Sequence, residues 1–174
     1  AIRHEKASSN LDFYFVNNPQ GKDGYRHGQM DNNFAQLLKQ IKPDIAHIGH
    51  LNHLSTGIVD ELNTLNIPIV FTLHDFWLMC PRGQFLTRSI GKENNFQLCA
   101  GQQDHKCASD CYKVYFSGNE ANEKQDIDSW SNWTHGRMLE TKAIINKVDL
   151  FIAPSQYLRN RFIKEFSVPE NKII

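Results

Sequence analysis

The sequence predicts an α/β fold: a parallel sheet with helices on both faces. Three observations carry this. Short apolar runs at 45–48, 67–73 and 148–153 read as fully buried strands. Segments whose apolar residues recur every three to four positions lie between and after them. Strand and helix alternate along the chain, the order that builds parallel sheets. In such sheets ligands bind beyond the C-terminal ends of the strands.

In chain order, the aromatic run LDFYFV at 11–16 reads as a short strand, and NNPQGKDG at 17–24 is turn chemistry. Asp31 is placed to cap a helix running through FAQLLKQI, with Phe34, Leu37, Leu38 and Ile41 on one face, and Pro43 ends it. Ile45, Ala46 and Ile48 then form a short buried strand, with His47 and His50 at its C-terminal end. Alternation cannot put both histidines on one face, so His50 is assigned to the cleft and His47 to the core. A helix at about 54–65 presents Leu54, Ile58, Val59, Leu62 and Leu65, with Ser55 as its cap and Asn66 as its stop. Its N-terminus is also a weaker candidate for binding an anionic group. IPIVFTL at 67–73 is the clearest buried strand, and it runs straight into His74-Asp75.

Residues 80–125 form an insertion without periodicity that holds all four cysteines. Loops of this length usually have their own organiser or a function. A helix from about 126 to 147 follows, then the strand VDLFIA, then a helix QYLRNRFIKEF capped by Ser155. Ile173-Ile174 read as the first residues of another strand. The chain opens on Ala1 and stops within that strand, so it is expected to be a fragment of something longer.

Composition narrows the function classes. Hydrophobic residues are 40% and charged residues 22% of 174, a soluble globular balance with room for one core. Nineteen basic residues match nineteen acidic ones, so nothing overall predicts nucleic acid as a partner. No apolar run reaches the roughly 20 residues that span a bilayer, and AIRHEKASSN has no signal-like apolar segment. A cytoplasmic setting, in which thiols stay reduced, is the default expectation.

Three pieces, PDIAHIGHLNHLS, TLHDFWLMCPRGQ and VDLFIAPSQYLRNRF, follow one another in an order and spacing that resembles a known family. From about residue 31 to the C-terminus the chain resembles the N-terminal half of a family-four glycosyltransferase, with a looser match before that. These are retaining sugar transferases of the GT-B fold, and the similarity is to the subgroup with a Cys-bearing insertion. The resemblance implies half of a GT-B fold: a Rossmann-like, acceptor-side domain over 1–174. It also implies a nucleotide-sugar donor held mainly by a following domain that this chain lacks, so the chain alone is expected to be inactive. The implied reaction moves a hexose to a glycan or lipid-linked acceptor in cell-surface polysaccharide synthesis, at the inner membrane face or in the cytoplasm. No catalytic metal is expected. The Gly-rich loop that follows the family's first strand is not seen at the start of this sequence.

The resemblance also assigns residues. Thr72-Leu73-His74 matches a T-x-H whose histidine faces the cleft near the transferred sugar, which makes His74 the candidate catalytic residue. The plainer reading is a strand-end histidine satisfied by backbone. Asp75 either fixes the tautomer of His74 or caps the next turn, and capping is favoured, with substrate contact also open. His50 is the second candidate for the cleft. Arg82, in PRGQ, suits a phosphate or carboxylate of the acceptor, or is a solvated loop residue. Cys80, Cys99, Cys107 and Cys111 fall within 32 residues. They suit a tetrahedral structural zinc better than free thiols, and free thiols better than disulfides. His105 is an alternative ligand, and an iron–sulfur cluster lacks a matching run. Trp130 and Trp133 are assigned to core packing over a membrane surface, while Tyr112, Tyr115 and Phe116 are placed to meet an acceptor or a bilayer. The rival functions are a non-enzymatic sugar- or partner-binding module and a GT-B-like epimerase or phosphorylase.

Overall fold

The computed structural model describes residues 2–16, 24–88 and 96–174. Most of the 17–24 turn and part of the Cys-bearing insertion therefore lie outside the described residues.

The chain begins with a hairpin of β1 (Ile2–Ser8) and β2 (Leu11–Val16), antiparallel and exposed along most of its length. Only β2 was expected from sequence, because IRHEKAS is too polar to read as a strand. α1 (Gly28–Ile41), β3 (Ala46–Ile48), α2 (Gly57–Thr64) and β4 (Ile69–Thr72) follow. After β4 the chain leaves the sheet through short pieces: β5 (Leu86–Arg88) pairs antiparallel with β6 (Phe96–Leu98), and α3 (Asp104–Lys106) runs into a π-helical turn at Cys107–Cys111. It returns through α4 (Glu123–Ile145), β7 (Leu150–Ile152) and α5 (Gln156–Phe166).

The central sheet is parallel, in the order β3-β4-β7. Ile69 and Phe71 of β4 are buried while Val70 and Thr72 are partly covered, the mark of a central strand packed on both faces. Asp149 fixes the register: its Oδ2 accepts the Ile69 N–H at 2.8 Å, and its own N–H donates to the Ile69 carbonyl at 3.0 Å. Ile173 bridges Phe151 in parallel, and Ile174 exchanges hydrogen bonds with β7, so Ile173-Ile174 do lie as strand residues beside β7. This is a Rossmann-like α/β arrangement, as the sequence predicts.

Local chemistry sets the helix ends. Ser155 Oγ accepts the Leu158 N–H at 3.2 Å, the expected cap of α5. Ser55 Oγ accepts from both Gly57 N–H and His27 N–H, tying the start of α2 to the start of α1. Asp31 is not the cap of α1. The helix starts a turn earlier, and Asp31 is buried against α2, where its carboxylate occupies the place that a Cβ on Gly57 would take. Glycine at 57 is what lets the carboxylate approach so closely. His47 is also corrected. It is exposed and shares a 2.7 Å hydrogen bond with Thr72 Oγ1, because alternation turns it away from the face that buries Ile48.

An ion cluster ties the helices together. Asp60 on α2 takes Lys147 and Arg26, and Arg26 also reaches Glu140 on α4. Burial alone would raise the Asp60 pKa, but hydrogen bonds from Lys147 and Arg26 more than offset it and hold the carboxyl below 3.8. A depressed folded pKa means stability that is present above the unfolded value and lost as pH falls through the folded one. Asp60→Asn is therefore expected to lower the urea midpoint at neutral pH. Its deficit against the wild type should shrink as pH falls through the depressed folded pKa of Asp60. A constant deficit across that range would show that the charge contributes nothing.

Candidate functional site

The C-terminal ends of β3 and β4 meet in a narrow cleft. Gly49, His50 and Leu51 follow β3, and His74, Asp75 and Trp77 follow β4, with about 10 Å³ open to water between them. His74 is exposed, and its imidazole has no hydrogen-bond partner among the described residues. It stands over the end of β3, where a Cβ on Gly49 would lie 3.8 Å from its Nε2. Asp75 serves two neighbours and not His74. Its Oδ1 accepts the Trp77 N–H at 2.7 Å, capping the turn, and its Oδ2 lies 3.3 Å from His50 Nε2. His50 Nδ1 accepts the Asn52 N–H at 2.8 Å, so a neutral His50 carries its proton on Nε2 and donates to Asp75. The structure thus brings His50, His74 and Asp75 to one edge: one histidine oriented, the other open to a ligand.

Arg82 is half-buried and has no carboxylate partner among the described residues. It lines two further spaces. The first is a small cavity whose lining includes Cys80, Cys99, Cys107 and Cys111, so the fold brings all four cysteines to one cavity. None of the four is in a disulfide. Burial pushes the Cys107 thiol up to about 11. Cys99 Sγ lies 3.3 Å from both the Gly101 carbonyl and Lys106 Nζ. Among the described residues no three His, Cys, Asp or Glu side chains stand at metal-holding geometry. By chemistry alone the donor set suits a soft, tetrahedral metal: four sulfurs, two of them on the π-helical turn at Cys107–Cys111, line one cavity.

The second space is an open basin of about 440 Å³ on the other side of Arg82. It is lined by Trp77, Tyr112, Trp130 and Trp133, with Arg137 beneath. Trp130 and Trp133 are not core residues. The buried stripe of α4 runs through Thr134, Arg137, Thr141, Ile144 and Ile145, which leaves the two tryptophans on its flank. There Trp130 stacks on Tyr112 with ring centroids 4.6 Å apart. Tyr112 is buried and Tyr115 exposed at the same rim, whereas Phe116 lies outside the basin.

The sequence reading does not single out Arg137, because its neighbours on the buried stripe of α4 are Thr134 and Thr141 and not apolar residues. It is 1% exposed. Its guanidinium lies over the Trp77 ring and donates to the Trp77 and Leu78 carbonyls at 2.6 and 3.3 Å. Burial lowers its pKa to about 10, which leaves it charged at neutral pH. Arg137→Met should cost roughly 2–5 kcal/mol, because two buried carbonyls lose their donor. Urea unfolding tests this, and a loss below about 1 kcal/mol would mean that water replaces the guanidinium.

The model of glycosyltransferase family 4 matches residues 3–174. The chain belongs to glycosyltransferase family 4. The family-4 match begins in β1, so the exposed hairpin is part of the family domain, and the likeness reaches further than residue 31. No curated protein matched the chain, and no solved structure did. Among the described residues, no helix of this family-4 domain is long and apolar enough to cross a membrane.

Proposed function

We propose that this chain is the acceptor-side domain of a retaining GT-B hexosyltransferase of family 4, in the subgroup with a Cys-bearing insertion. It helps move a hexose from a nucleotide sugar to a glycan or lipid-linked acceptor in cell-surface polysaccharide synthesis. The observation that carries this is His74: an exposed imidazole at the end of a central parallel strand, without an internal partner, where ligands of such sheets bind.

His74 donates a hydrogen bond to a sugar hydroxyl or to the leaving phosphate. The leaving phosphate itself takes the acceptor proton, so no protein base is needed. His50, oriented by Asp75 and the Asn52 N–H, lines the same edge and contacts the transferred sugar. Arg82 faces the acceptor. The nucleotide lies mainly against a following domain, so turnover belongs to the intact protein. The four cysteines hold a structural zinc that staples the insertion beside the acceptor path. The enzyme works in the cytoplasm or peripherally at the inner membrane face.

The test is transfer by the intact protein from labelled nucleotide hexoses, read as label on the acceptor. Labelled acceptor supports the reading. Sugar binding without donor turnover would favour a binding module. Conversion of the donor without transfer would favour an epimerase or a phosphorylase.

A further inference from the structure

Arg137 is a buried cation beside the cleft, and the proposed transfer makes no use of it. It reaches in from α4, beyond the insertion in sequence. The turn it meets, residues 75–83, is closed by its own backbone. Phe76 N–H donates to the Gly83 carbonyl at 3.1 Å, and Gly83 N–H to the Cys80 carbonyl at 2.7 Å. Those bonds leave the Trp77 and Leu78 carbonyls without a backbone donor among the described residues, and the Arg137 guanidinium supplies both. It also lies 4.4 Å from the centroid of the Trp77 ring. One planar fork thus holds the carbonyl and the ring of the same residue, which fixes both the place and the orientation of Trp77. Trp77 in turn sets the cleft. Its ring packs against the His50 imidazole with centroids 5.6 Å apart, and its N–H is the donor that Asp75 Oδ1 accepts. The other oxygen of Asp75 faces His50 Nε2. The contacts of His50 with the Trp77 ring and with Asp75 therefore both run back to Arg137, whereas its bond to the Asn52 N–H is independent.

We propose that Arg137 is a positioning residue: through the carbonyl and ring of Trp77 it holds Asp75 and His50 in the geometry that transfer needs, without touching substrate itself. This rests on the transferase reading and adds a residue to its site. Misplacing a reacting group by about 1 Å can cost about 10²-fold in rate, so a loosened Trp77 lowers turnover more than it weakens binding of the donor.

The test compares Arg137→Met with Ile144→Ala in the intact protein, each assayed at a temperature at which its unfolding curve shows it folded. Ile144 is buried on the same stripe of α4, so its truncation destabilises the domain and leaves the fork on Trp77 in place. Arg137→Met should lower kcat by about tenfold or more with the donor KM within about twofold. Ile144→Ala should leave kcat within about twofold. Arg137→Lys, which keeps the charge but not the fork, should recover part of the loss. A second readout needs no turnover. The ring current of Trp77 shifts the NMR signals of the His50 ring protons, which are assigned by their disappearance in His50→Ala. Arg137→Met should move these signals toward their positions in Trp77→Leu, and Ile144→Ala should leave them in place. If Arg137→Met fails to fold, Arg137→Lys carries both readouts, with smaller changes in the same direction. An unchanged kcat or an unchanged His50 ring in the folded Arg137 variant overturns the proposal, as do equal kcat losses in that variant and Ile144→Ala. A wild-type protein that transfers no sugar overturns the transferase reading alone, and the His50 ring then decides the role of Arg137.

Discussion

Replacing His74 by alanine in the intact enzyme lowers kcat/KM by about 10²- to 10³-fold, the range for losing one donor aimed at developing charge. The thermal midpoint should hardly move. His74 is exposed and bonds to nothing among the described residues, so its removal breaks no packing and leaves no buried group unpaired. A large kinetic effect with a negligible structural one is the signature of a ligand-facing side chain. The contrast with His50 makes the test sharper. His50→Ala strips Asp75 and the Asn52 N–H of a partner, so its kinetic loss should come with a drop in stability. His74→Gln separates two roles. A hydrogen-bond donor is partly restored by the amide, whereas a base is not. Full activity in His74→Ala removes His74 from the site.

The frame of this fold was legible because it rests on periodicity. Three apolar runs became β3, β4 and β7 in one parallel sheet, and Ser155 accepts the hydrogen bond its position predicts, whereas Ser55 lies one residue before the N-cap Thr56. What was not legible depends on which neighbour wins a side chain. Asp31 looked like a cap, but Gly57 opened a slot beside it and the carboxylate went there. His47 and His50 differ only in how alternation falls at a strand three residues long. Trp130 and Trp133 followed the apolar period of α4 closely enough to look buried. The buried stripe is offset from them and runs through Arg137. The cleft could be placed from strand ends, whereas the basin could not. Its walls come from α4, from the turn after β4 and from Tyr112, parts joined only by the fold.

Zinc removal should have the largest effect on stability. The protein purified without added metal should hold about one zinc per chain. Stripping it with a chelator should lower the melting temperature by about 10 °C or more, the size expected when several kcal/mol are lost from a domain this large. The reason is the poverty of the rest of the insertion. β5 and β6 are three residues each, α3 is a single turn, and the exposed Phe96 and Leu98 add little buried area. Such pieces cannot offset their own ordering entropy, and a cross-link at Cys80, Cys99, Cys107 and Cys111 would tie the ends of each together. Without metal, the thiols must rotate toward their common cavity before four sulfurs can meet, so zinc should be taken up with proton release and tightening of the segment. Cys107→Ser, at the buried member of the set, should cut both zinc content and stability, and added zinc should not restore them. If chelation leaves the melting temperature unchanged and the purified protein contains no zinc, the cysteines act as packed thiols. The insertion is then held by Tyr112 against Trp130 and by Arg137 beneath the turn at Trp77. In that case Arg137→Met, and not Cys107→Ser, becomes the change that loosens it.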